Sequence, residues 1–79
     1  MRRVEITKEP VELYKILKFE GMVASGGEAK LVIADGLVLV NGQVDTRKRR
    51  KIISGDTIEF DGDVILIQAE KGHAPATEK

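Results

Sequence analysis

Five consecutive basic residues, Arg47-Lys48-Arg49-Arg50-Lys51, stand in a chain of 79 residues whose formal net charge is zero. Guanidinium groups offer planar forks to phosphate oxygens, and lysine ammonium groups act as mobile point charges. Crowded into a balanced sequence, these side chains raise a local positive potential that a polyanion feels within about a Debye length. Apolar segments flank the run, Leu37-Val38-Leu39-Val40 before it and Ile52-Ile53 after it, so it belongs to a folded body. If residues 47–51 are extended, Arg47, Arg49 and Lys51 share one face and Lys48 and Arg50 the other. The odd-numbered set is then the one expected to meet the ligand, with the Thr46 hydroxyl beside it. The bland alternative is a solvated, charged edge that keeps a sheet from aggregating.

A second phosphate-competent feature is Ser25-Gly26-Gly27-Glu28. The S-x-x-E spacing is that of a capping box, in which Ser25 accepts from the Glu28 amide and the Glu28 carboxylate reaches back to the Ser25 amide. Gly26 and Gly27 at a helix start let an anion approach unpaired amides, and the helix dipole favours it there. A flexible turn before a capped helix is the plainer account of the same glycines. Lys30 lies one turn further on and extends the positive surface. Lys15 and Lys18 share a face of the preceding helix, and Lys18 is the better candidate because it lies nearer the helix end. Asn41 is foremost a turn residue, with a minor ligand contact open to it. Tyr14 and Phe19 are expected to pack rather than stack on bases.

Catalysis finds no constellation. His73 is the single histidine, and general-base work or metal ligation needs several converging, fixed groups. Asp61 and Asp63 flank Gly62, but a hairpin turn accounts for them better than a calcium loop. There is no cysteine, which removes disulfides, thiolate catalysis and Cys-based zinc sites. The expectation is a non-enzyme without a cofactor.

The elements that must position these residues follow from periodicity. Val4 to Ile6 reads as a short edge strand. Pro10 suits the first turn of a helix running from Val11 to Glu20, with Leu13, Ile16 and Leu17 on its apolar stripe and Gly21 as its stop. Ala29, Val32 and Ile33 form the stripe of a second helix that ends at Asp35-Gly36. Leu37 to Val40 is a strand, Asn41-Gly42 the strongest hairpin signal, and Gln43-Val44 the start of the return. Ser54-Gly55-Asp56 turns the chain into the strand Thr57 to Phe60. Asp61-Gly62-Asp63 turns it again into Val64 to Gln68, a strand apolar on both faces, expected to be central or covered and to pair with the N-terminal strand. From Lys71 the sequence loses periodicity and reads as a disordered tail. The fold class is therefore α+β, a helix pair on a small, mostly antiparallel sheet, with one domain over residues 1–70 and a tail over 71–79.

Composition agrees with that size. A chain this short buries only about 60% of its unfolded surface, and with two Phe, one Tyr and no Trp the core must be aliphatic. No apolar stretch reaches the ~18 residues of a membrane span, and no signal-like segment follows Met1. A cytoplasmic, monomeric protein is expected.

From about residue 11 to 60 the sequence resembles the S4 RNA-binding domain. The resemblance rests on Leu13-Tyr14-Lys15-Ile16-Leu17-Lys18-Phe19-Glu20-Gly21, Ser25-Gly26-Gly27-Glu28-Ala29-Lys30, Ile33-Ala34-Asp35-Gly36-Leu37-Val38-Leu39-Val40-Asn41-Gly42 and Ser54-Gly55-Asp56-Thr57-Ile58-Glu59-Phe60. Including the basic run, the whole chain looks most like the small stand-alone bacterial S4 proteins. The resemblance implies the alpha-L fold, with an RNA-contacting face made by the start of the second helix and the neighbouring hairpin. Its implied partner is structured RNA, ribosomal or tRNA-like, in a setting that includes ribosomal or RNA-processing proteins. Where many S4 domains carry Ser-Arg at the second helix start, this chain has Gly26-Gly27, and the basic run substitutes for the missing arginine. The RNA-binding set is thus Lys18, Gly26, Gly27, Lys30, Asn41, Thr46, Arg47, Lys48, Arg49, Arg50 and Lys51. The competing class is a protein-interaction module whose basic run docks an acidic partner surface.

Overall fold

The computed structural model describes residues 1–70. The tail expected from Lys71, with His73, lies outside the described residues. Seven strands and two helices follow in the order β1 (Arg2–Ile6), β2 (Val11–Glu12), α1 (Leu13–Phe19), α2 (Gly26–Ala34), β3 (Val38–Val40), β4 (Gln43–Val44), β5 (Lys51–Ile52), β6 (Thr57–Phe60) and β7 (Asp63–Ala69). Five of the strands form one sheet in the order β1-β7-β6-β3-β4, and β2 and β5 form a separate two-stranded ribbon. The β1–β7 pair is parallel and every other pair is antiparallel. The last strand is central, between β6 and the N-terminal strand, as its apolar character predicts. The α+β architecture expected from the sequence is the one observed.

Alternation decides which sheet face is covered. Val38, Val40, Ile58, Ile65 and Ile67 point inward and are buried, as are Val4 and Ile6 of β1. Leu13, Ile16 and Leu17 of α1 and Ala29 and Ile33 of α2 complete one continuous core. Val32 is only half-buried and Leu31 is exposed, so the buried stripe of α2 is narrower than expected. The hairpin from β3 to β4 turns on Asn41 and Gly42 with φ of 53° and 83°. Positive φ at both central residues is what a type I′ turn demands, and Asn-Gly meets it at least steric cost.

Three local expectations change. The first helix begins at Leu13, because Val11 and Glu12 pair with Ile52 and Lys51 instead of entering it. Pro10 therefore precedes a ribbon strand, behind a cis Glu9–Pro10 peptide, and does not sit in the first helical turn. Second, the Glu28 carboxylate accepts from the Ala24 amide at 2.9 Å, one residue earlier than the expected Ser25 amide. The other half of the box is as predicted, with the Glu28 amide donating to Ser25 Oγ at 3.1 Å. Third, Phe19 does not pack into the core. It is 67% exposed at the last residue of α1.

Candidate nucleic-acid interface

The basic run is not extended. Between β4 and β5 the chain turns, and the Arg50 amide donates to the Arg47 carbonyl at 3.1 Å. The alternate-face division of the five cations therefore does not apply. Two sets of contacts hold the turn. On one side, Asp45 accepts from the Arg47 amide and Nε at 3.0 Å each, from Arg47 Nη2 at 2.8 Å, and from Arg50 Nη1. On the other, the carbonyls of Arg50 and Lys48 accept from the Leu13 and Tyr14 amides at 2.9 and 3.1 Å. First-turn helix amides have no partner within their own helix, and here the basic turn supplies it. Ile52, fully buried just past the run, pins its far end to the core. Burying such a side chain stabilises by about 1.5–3 kcal/mol.

Asp45 is the residue that sequence reasoning missed. It is the one buried charged side chain among the described residues, 7% exposed. The Arg47 hydrogen bonds hold its carboxyl well below the usual carboxylate range, against the opposing effect of burial. The same contacts push the Arg47 guanidinium up. A carboxylate two residues before an arginine at the head of a basic run was the available signal, since Asp often bonds its own backbone two residues on.

Tyr14 joins this turn to the second helix. Its ring lies 4.7 Å from Lys30 Nζ and 6.0 Å from Lys15 Nζ. A Cβ placed on Gly26 would sit 3.9 Å from the Tyr14 ring and 3.8 Å from Cδ of Lys18. Gly26 and Lys30 thus lie against one half-buried aromatic side chain whose own amide is bonded to Lys48, with the Lys18 stem beside Gly26 and its ammonium 5.6 Å from the Phe19 ring centre. At the helix start, Gly26 and Gly27 follow the Ser25 cap, and their amides precede the first intrahelical bond. Glu28 places a carboxylate in that same turn, which opposes an incoming anion.

The predicted cations differ in how free they are. Arg47 and Arg50 are tied to Asp45. Elsewhere Arg2 pairs with Asp63 at 2.9 Å and Lys15 with Glu12 at 3.6 Å. Among the described residues Lys18, Lys30, Lys48, Arg49 and Lys51 make no ion pair, and all but half-buried Lys30 are exposed. Arg3 and Lys8 are likewise unpaired, but they lie in and just after β1, at the sheet edge opposite β4. Thr46 is exposed at the entry to the turn. The Asn41 side chain is committed elsewhere: its Nδ2 donates to Asp56 at 3.0 Å and its Oδ1 accepts from the Thr57 amide at 2.9 Å. It fastens the hairpin to the turn before β6.

A helix pair on a mostly antiparallel sheet, with a cationic turn docked against the first helix, defines a small nucleic-acid-binding scaffold. The S4 domain family matches residues 4–68, and the chain belongs to that family, whose domains bind RNA and are not catalytic. It is 46% identical over 70 residues to the "Putative RNA-binding protein YbcJ" of Escherichia coli K12, spanning 87% of this chain and all of that protein. It is 37% identical over 59 residues to the "Probable ribosome maturation protein RlbA" of Bacillus subtilis, spanning 75% of this chain and 83% of that one. The solution structure of E. coli YbcJ, described as revealing an αL motif involved in RNA binding, superposes with a TM-score of 0.68 over 87% of this chain and 89% of that chain. No helix among the described residues is long and apolar enough to cross a membrane.

Proposed function

We propose that this chain is a cytoplasmic, non-catalytic module that binds structured RNA, ribosomal or tRNA-like, chiefly through the phosphate backbone. The observation that carries the proposal is the docking of residues 47–50 onto the start of α1, which sets the free cations Lys48, Arg49 and Lys51 on the same scaffold as Lys30 over Tyr14 and Lys18 over Phe19. Phosphate contacts gain free energy largely by releasing condensed counterions and carry no sequence information themselves. Stacking adds little, because Tyr14 is half-buried beneath lysines and exposed Phe19 carries the Lys18 ammonium over its ring. Recognition by RNA shape and backbone follows. The names borne by the two relatives, RNA binding and ribosome maturation, favour a ribosomal RNA target.

Titration of a labelled RNA stem-loop across salt concentrations tests this. Affinity should fall linearly in log–log coordinates, with a slope of about −0.9 for each phosphate neutralised. Absence of binding to stem-loop RNA at low salt, together with binding to an acidic protein surface, would replace the RNA assignment with the protein-docking one.

A further inference from the structure

An acid inside a basic patch has two possible effects on a polyanion, opposite in sign. As a charge, Asp45 weakens the field of its neighbours, so its removal should tighten binding. As a fastener, it holds the shape that makes the neighbours useful, so its removal should loosen binding. Geometry separates the two. The Asp45 carboxylate is buried, and two guanidinium groups already neutralise it, so little of its negative field reaches solvent. Its backbone is also anchored, with the Asp45 amide donating to the Val38 carbonyl at 3.1 Å. From that fixed point it grips neither Lys48 nor Arg49. It holds the residues on either side of them, Arg47 and Arg50, which are themselves joined backbone to backbone.

We propose that Asp45 is a positioning residue for RNA binding: by clamping Arg47 and Arg50 it fixes the turn that presents Lys48, Arg49 and Lys51 together to one RNA backbone. Arg47 and Arg50 are then internal parts of the turn more than ligand contacts. This rests on the RNA-binding assignment, and it reverses what charge counting says about an acidic residue in such a patch.

The test compares the whole chain with Asp45→Asn, using the labelled RNA stem-loop across salt and following amide exchange by NMR. If the unclamped turn is in its competent shape about a tenth of the time, affinity falls about tenfold. The salt slope stays unchanged, because the same phosphates are contacted once binding occurs. The Leu13 and Tyr14 amides, whose acceptors belong to the turn, exchange faster. Tighter binding with a steeper slope would instead mean that Asp45 acts as a charge, and overturns the proposal. Arg47→Ala against Lys48→Ala gives an arm that survives if the Asp45 variant fails to fold. Both remove one positive charge, but only the first breaks side-chain bonds of the clamp, leaving Asp45 held by Arg50 and the backbone amide of residue 47, so it should weaken binding more while changing the slope less; equal effects overturn the clamp. If the unaltered chain ignores the stem-loop, the RNA assignment fails separately, and unchanged Leu13 and Tyr14 exchange in Asp45→Asn still decides against the clamp.

Discussion

The basic turn at residues 45–52 and the start of α2 at residues 25–30 are both places where a phosphate could dock, yet they are built differently. The α2 start is a local construction. Ser25 caps an amide three residues on, Glu28 reaches back to Ala24, and both bonds join residues within four positions of each other. The basic turn is a tertiary construction, fastened to Leu13 and Tyr14 more than thirty positions earlier and paired through β5 to β2. Local capping makes a helix end that is self-sufficient and carries its own carboxylate. Remote fastening leaves three cations unpaired, because the bonds that shape the turn use backbone carbonyls and only two of its five side chains.

The sharpest way to break that contrast is through the free cations. Replacing Lys48, Arg49 and Lys51 with alanine should shallow the salt slope of RNA binding by nearly three, at about 0.9 per phosphate lost. Replacing Lys18 and Lys30 should reduce it by less than two, since Glu28 already opposes anions at that end. Equal losses from the two sets would erase the distinction. Stability should respond next. Ile52→Ala, which empties a fully buried site at the end of the turn, should cost about 2–5 kcal/mol in denaturant unfolding. Ser25→Ala removes one cap and should cost about 0.5–2 kcal/mol, leaving the salt slope intact.

Acid gives the smallest effect. The Asp45 carboxyl titrates lower in the folded protein than in the unfolded chain, chiefly because Arg47 bonds the ionised form. Its stabilising contribution is therefore complete above the ordinary Asp value of about 4 and declines as pH falls below that toward the depressed folded value. Thermal unfolding followed from about pH 5 to pH 2 should show a steeper acid loss in the parent chain than in Asp45→Asn. Identical acid limbs would mean that the Arg47 contacts do not persist in solution.

Much of the fold was legible in the residues because the responsible interactions are short-ranged. Asn41-Gly42 demands a tight hairpin, and the hairpin is there. The 3.6-residue spacing of Leu13, Ile16 and Leu17 and the Ser25 cap mark the helices, while the apolar character of Val64 to Gln68 foretells a central strand. The resemblance to S4 domains implied, beyond what periodicity gives, an RNA-contacting face at the second helix start and the neighbouring hairpin. The misplaced start of α1 has a different cause. Val11 and Glu12 carry no local mark of the ribbon they join, since their partners Ile52 and Lys51 lie some forty positions away. Asn41, counted among the contacts, has its amide taken by Asp56 and Thr57 for the same reason.

Residue order by itself determined that this chain would be a small aliphatic-cored α+β domain with a dense cationic stretch, because periodicity, turn chemistry and charge are properties of neighbours. Whether that stretch would be straight or bent, and which of its side chains would stay free, only the tertiary structure decided. The deciding bonds run from Asp45 to two guanidinium groups and from the first turn of α1 to two carbonyls. The Asp45 bonds span only two and five positions, but the carbonyl bonds to α1 exist only once the core has brought segments more than thirty positions apart side by side, and no pattern of neighbours fixes those.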